Sequence, residues 1–173
     1  MSHRSITLFL SVALLSLMIS GCTESTDPKI LSARQSALLM ESPGKSESIK
    51  LAREASEKGE EFIISGKVGA RDLNQWWVDG YATFWITEAG QDDTNHGGPG
   101  HDPATCPFCN RKYKETVVVI QCVDDKGNLI LIDAKTLFDL QTGDLVTVKG
   151  TGEIDESGIL NVKTSGIYIH PKQ

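Results

Sequence analysis

Residues 140–162 read LQTGDLVTVKGTGEIDESGILNV, and this stretch decides the fold. Val146 and Val148 alternate with Thr147 and Lys149, the period of a strand with one face in a core. Asp155-Glu156-Ser157-Gly158 is a turn, and Leu160 and Val162 resume the alternation beyond it. Gly143 permits the turn into the first strand, and Gly150 allows the bend that closes a small barrel. The stretch is therefore a hairpin with an apolar inner face.

Outward from it the period stays at two. Phe62–Val68, Tyr81–Thr87 and Thr116–Val123 read as three earlier strands. Ala82, Phe84 and Ile86 share one face of the second, and Val118, Ile120 and Cys122 one face of the third. Asp125-Lys126-Gly127-Asn128 turns the third strand into Leu129–Ile132, and 133–140 suits a short helical crossover. The last strand runs over 159–169. Three strands, a short helix and two strands make an all-β chain with the order of a five-stranded Greek-key OB barrel. An immunoglobulin-like sandwich needs about seven strands and has no place for the helix. Eight residues are expected in one core: Ala82, Phe84, Val118, Ile120, Val146, Val148, Leu160 and Val162.

The 140–162 pattern resembles the strand 4–5 hairpin of OB domains. Ile64-Ser65-Gly66-Lys67-Val68-Gly69, Trp77-Val78-Asp79-Gly80-Tyr81-Ala82-Thr83-Phe84 and Gly166-Ile167-Tyr168-Ile169 are similar to an uncharacterised family of small exported bacterial OB-fold proteins. Glu41-Ser42-Pro43 and the Ser-Ile-Lys-Leu-Ala-Arg run also fit, so the resemblance covers residues 38–170. It implies the fold and no activity. Members carry a cysteine-bearing insertion after the second strand, longer and Trp-containing. Here residues 88–114 hold that place with a shorter, His-rich version.

The amino terminus speaks to location. Ser2-His3-Arg4 is a basic start, Ile6–Ile19 is uncharged, and Ile19-Ser20-Gly21-Cys22 ends the segment. A stretch of 14 residues, with only Ser and Thr as polar interruptions, is too short for a bilayer span, which needs about 20, and suits an export signal. Cys22 after Ser-Gly resembles the lipobox of bacterial lipoproteins, with Ile19 where Leu is usual. That resemblance implies acylation of Cys22, removal of residues 1–21, and membrane attachment through two or three acyl chains. The expected product is an extracytoplasmic lipoprotein on the periplasmic or cell-surface side. It has a tether with one or two short helices over 22–60 and the OB domain over 61–170.

In the tether, Lys29–Glu41 favours helix and stops at Ser42-Pro43-Gly44. Glu47–Lys58 suits a second, with Ser46 as N-cap, packing a weak stripe of Ile49, Leu51, Ala52 and Ala55 on the barrel. The mature chain of 152 residues carries 23 acidic and 16 basic side chains, a formal charge of −7. That lacks the basic footprint nucleic acid requires, so a protein or glycan is the better class of partner.

Chemistry concentrates in the insertion. His96, His101, Cys106 and Cys109 form H-x4-H-x4-C-x2-C, holding two of the three mature histidines and two of the three non-lipidated cysteines. Cys-x2-Cys presents two sulfurs to one ion, and Gly97, Gly98 and Gly100 let the histidines double back. Zinc or copper at these four ligands gives a closed structural site, substituting for a core in a loop too polar to form one. A simple Cys106–Cys109 disulfide uses the same sulfurs and suits an oxidising compartment. Cys-Pro-Phe-Cys also resembles the glutaredoxin active-site tetrad, implying a thiol–disulfide oxidoreductase. That activity needs the first Cys at a helix N-terminus, and Asn110–Glu115 leads so directly into the third strand that little room for a helix is expected. Covalent haem attachment needs His after the second Cys, where Asn110 stands.

The other side chains fit structural roles. Cys122 belongs to a strand core, His170 to a solvated tail, and Asp92, Asp93 and Asp102 to a solvated loop. Neither paired carboxylates nor a Ser-His-Asp set is present, so the leaning is toward a binding or scaffolding protein rather than an enzyme. Tyr81 and Trp85 share the outer face of their strand, where they form a stacking platform for an oligosaccharide or peptide unless a flanking helix covers them.

Overall fold

A computed structural model describes residues 27–71, 73–88, 101–102 and 105–172. Cys22, His96, Asp92, Asp93 and the three insertion glycines lie outside them. The described elements, in chain order, are α1 (Pro28–Ala37), α2 (Ile49–Glu57), β1 (Phe62–Val68), β2 (Trp77–Val78), β3 (Tyr81–Glu88) and α3 (Pro107–Thr116). There follow β4 (Val117–Cys122), α4 (Ala134–Phe138), β5 (Leu145–Ile154), β6 (Leu160–Thr164) and β7 (Ile167–Ile169).

The alternation in sequence becomes a closed barrel. Strands β1, β3, β4, β6 and β5 are neighbours in that order, and β5 pairs back onto β1. Six residue pairs, from Phe62↔Gly150 to Lys67↔Leu145, close the ring antiparallel. The β4–β6 pairing is parallel, from Val118↔Leu160 to Cys122↔Thr164. This is the expected OB-like barrel, with α4 as the crossover between β4 and β5. Asp133 caps α4, its carboxylate accepting from the Thr136 N–H at 2.8 Å. All eight expected core residues are fully buried. Cys122 is buried with them, and loss of solvation pushes its thiol up to about 12.

The last strand breaks in two. Thr164 Oγ1 donates to the carbonyls of Lys149 and Gly166, both at 2.8 Å, which turns the chain at Ser165–Gly166 between β6 and β7. Both pieces run along β5: β7 beside Val146–Val148, β6 beside Thr151–Ile154. Gly150 sits at the change of partner.

Several boundaries differ from expectation. Helix α1 stops at Ala37 because Leu38 bridges to Ile167 and the Leu39 N–H donates to the Ile167 carbonyl at 2.8 Å. Helix α2 is capped by Ser48, not Ser46, because the Glu47 N–H is taken by the Ile63 carbonyl at 2.9 Å. Ile49 and Ala52 join the core, while Leu51 is 49% exposed. Residues 129–132 form a single bridge, Val123↔Leu129, instead of a strand. The two-residue β2 pairs with β3 and was not foreseen. His170 faces the sheet: its Nε2 lies 2.8 Å from Thr147 Oγ1, and its ring packs edge-on to Tyr168 at 4.8 Å.

The β5–β6 turn has a measurable pH signature. The Asp155 carboxylate accepts from Ser157 Oγ at 2.6 Å, from the N–H groups of Ser157 and Ile159 at 2.9 and 3.0 Å, and from Asn161 Nδ2 at 3.0 Å. Led by the Ser157 hydroxyl, these donors hold its carboxyl down at about 2. A folded value below the unfolded one, which is about 3.9, adds stability above pH 4 and loses it as pH falls toward 2. Asp155→Asn is expected to flatten that segment of the stability–pH curve in denaturant titrations. An unchanged slope between pH 4 and 2 contradicts the assignment.

Candidate metal centre

The insertion contains the helix that was not expected. Pro107 at the first position has φ pre-set for helix and no N–H to satisfy, and Lys114 sits in the last turn. Cys106 is the N-cap, and its carbonyl accepts from the Asn110 N–H at 3.0 Å. Room exists because no linker intervenes: Thr116 ends α3, and Val117, its extended C-cap, begins β4. Asn110–Glu115, expected to leave little room for a helix, lie within α3.

This helix start brings the donors together. His101, Cys106 and Cys109 are half-buried, and their ligand atoms lie within 4.8 Å of one another. His101 Nε2 is 3.2 Å from Cys109 Sγ. Three of the four expected ligands thus share a point; the fourth, His96, is outside the described residues. Both thiols are free, as is that of Cys122. Backbone N–H groups of Cys109 and Phe108 face the Cys106 sulfur and hold its thiol below the ordinary value, against an opposing effect of burial. Cys109 is pushed the other way, first by burial and then by the Cys106 sulfur, with Arg71 and Lys112 opposing. The two sulfurs of one motif therefore differ in character.

Arg71 braces the helix from the β1–β2 connection. Its Nη2 donates to Asn110 Oδ1 at 3.3 Å, its guanidinium lies 4.5 Å from the Tyr113 ring centre, and its carbonyl accepts from the Tyr113 hydroxyl at 2.8 Å. Sequence reasoning missed Arg71, Asn110 and Tyr113 as supports, since nothing in the spacing links position 71 to 110 and 113. Pro107 at the helix start and Lys114 near its end were the signals for α3.

The donor set suits a borderline or soft metal. A tetrahedral ion with sulfur at about 2.3 Å and nitrogen at about 2.0–2.1 Å needs donors roughly 3.5–3.8 Å apart. The 3.2 Å contact and the 4.8 Å limit bracket that spacing for the three described donors. Sulfur and imidazole donors disfavour the hard ions magnesium and calcium. Among the other candidates, Tyr81 is 43% exposed and Trp85 half-buried. Between them on that face of β3, Thr83 is buried, and Trp85 pairs across to Val119. Helix α2, the expected cover, packs on β1 and β5 instead. Asp102 is exposed.

No protein-family model matches the chain. No curated protein matches it significantly. Solved structures similar to this chain at low identity include two. One is titled OBody AM1L10 bound to hen egg-white lysozyme, with 15% identity, TM-score 0.41, and coverage of 78% of this chain and 100% of that one. The other is OBody NL8 bound to hen egg-white lysozyme, with 14% identity, TM-score 0.32, and coverage of 65% and 97%.

Proposed function

We propose that this protein is an extracytoplasmic lipoprotein of binding or scaffolding type, anchored by acyl chains on Cys22, whose OB barrel carries a zinc or copper centre. The observation that carries the metal reading is the convergence of His101, Cys106 and Cys109 at the start of α3. The H-x4-H-x4-C-x2-C spacing offers His96 as fourth ligand. The ion stabilises an insertion that has little apolar content of its own, and α3 passes that order into β4. No described helix is long and apolar enough to cross a membrane, so attachment in this reading rests on the acyl chains.

Two measurements test it. Protein purified without added metal is expected to hold about one equivalent of zinc or copper, in the one-ion tetrahedral arrangement of such sites. Cys106→Ser, Cys109→Ser and His101→Ala each release it, and chelation makes the two thiols reactive. Thiols equally reactive with and without chelator, in protein lacking metal, count against the centre. For the anchor, Cys22→Ser is expected to abolish acylation and leave an uncleaved or soluble chain. Mass spectrometry of membrane-extracted protein with an unmodified Cys22 would sink that part.

A further inference from the structure

We propose that the metal-free Cys106/Cys109 pair has an activity of its own: thiol–disulfide exchange with a disulfide carried by another polypeptide. Cys106 is the attacking sulfur and Cys109 the resolving one. The proposal goes beyond the metal reading and uses the same sulfurs without the ion.

Four observations carry it. The sulfurs belong to residues three apart at a helix start, where Cα atoms are about 5–6 Å apart, within the 4.4–6.8 Å that a disulfide spans. Both are free thiols in mutual reach, so closing the pair needs a side-chain rotation rather than a backbone change. His101 Nε2 stands 3.2 Å from Cys109 Sγ, a contact that holds the second sulfur on the side of the helix start. Finally, Phe108, between the two cysteines, is 78% exposed, and Pro107 beside it is exposed too. An aromatic ring held in water at the lip of a dithiol is an apolar contact for a chain docking there. It favours a polypeptide disulfide over a small polar one. Cys122 cannot compete, being wholly buried.

The exchange balances in two steps. Cys106 Sγ, its proton passed to solvent, bonds to one sulfur of the substrate disulfide; that S–S bond breaks, and the departing sulfur takes up a proton. Cys109, its proton passed to solvent, then bonds to Cys106 Sγ; the mixed disulfide breaks, and the second substrate sulfur leaves and takes up a proton from solvent. The protein dithiol loses two electrons and two protons, and the substrate disulfide gains both. An intramolecular disulfide removes both sulfur ligands, so oxidation of the pair and metal binding exclude each other.

The test uses the full chain, reduced, treated with chelator and desalted, with insulin as the protein disulfide. A synthetic peptide of residues 105–110 is the reference for an unstructured Cys-x2-Cys. The folded chain is expected to react at least about tenfold faster than the peptide. Intact mass should show one internal disulfide between Cys106 and Cys109. Cys109→Ser should accumulate a mixed disulfide mapped to Cys106. Phe108→Ala should slow the reaction with insulin while leaving that with a small aromatic disulfide unchanged. A rate equal to the peptide's overturns the proposal, and so does a trapped adduct on Cys109 in Cys106→Ser at the wild-type rate. A chain that exchanges rapidly but never holds zinc or copper defeats the metal reading alone; one that holds metal and exchanges no faster than the peptide defeats this proposal alone.

Discussion

Phe84→Ala is expected to cost about 3–5 kcal/mol of folding stability, the range for removing a fully buried aromatic ring. The ring has no solvent contact, and its strand position pairs with Trp77 on one side and Ile120 on the other. Ala cannot refill that volume, because the walls are strands fixed in register around a closed ring. Against a typical domain stability of about 5–15 kcal/mol, the loss removes about a fifth of the margin or more. Urea unfolding is the measurement: the midpoint should fall by at least about 1 M with the slope unchanged. A shift near zero places Phe84 outside the core and refutes the barrel.

Gly150→Ala is expected to cost about 3 kcal/mol or more, at the upper end for overpacking, because the obstacle is backbone. A methyl group at Gly150 overlaps the carbonyl of Lys163, an atom of the neighbouring strand that cannot rotate away. Here β5 stops pairing with β1 and begins pairing with β6. Relief requires separating β5 from β6, so the damage falls on barrel closure. Gly152→Ala is the comparison, with its nearest obstacle, the Asn161 carbonyl, at 2.9 Å. Thermal melting of both variants should show the larger drop at 150. Equal melting temperatures for Gly150→Ala and the parent protein contradict the corner described at this residue.

What was legible in the sequence was whatever repeats locally. Val146, Val148, Leu160 and Val162 announce their face through a period of two, and Phe84 and Ile120 do the same. All are buried as expected. Boundaries set by distant partners were not legible. Nothing in the Lys29–Glu41 run says that Leu38 and Leu39 prefer the backbone of Ile167 to another helical turn. In the insertion, spacing found His101, Cys106 and Cys109, since ligands close in sequence leave a motif. It did not find α3, because the usual mark of a helix end, a polar or glycine linker, is missing where Thr116 meets Val117. His170 was misplaced for the opposite reason: a terminal residue beside Pro171 looks solvated until Thr147, far back in the chain, supplies its partner.

The bond from Leu39 to Ile167 also bears on when the fold can form. It joins the segment after the first helix to β7, so this contact of the barrel forms only once both distant segments are present. The β1–β5 closure and the parallel β4–β6 pairing likewise bring distant segments together. Chains dominated by such pairings fold in milliseconds to seconds, slowly for their size. Until β7 arrives, an early intermediate presents an open sheet edge to its neighbours. Resistance to edge-to-edge association therefore depends on β7, which covers Val146–Val148 of β5.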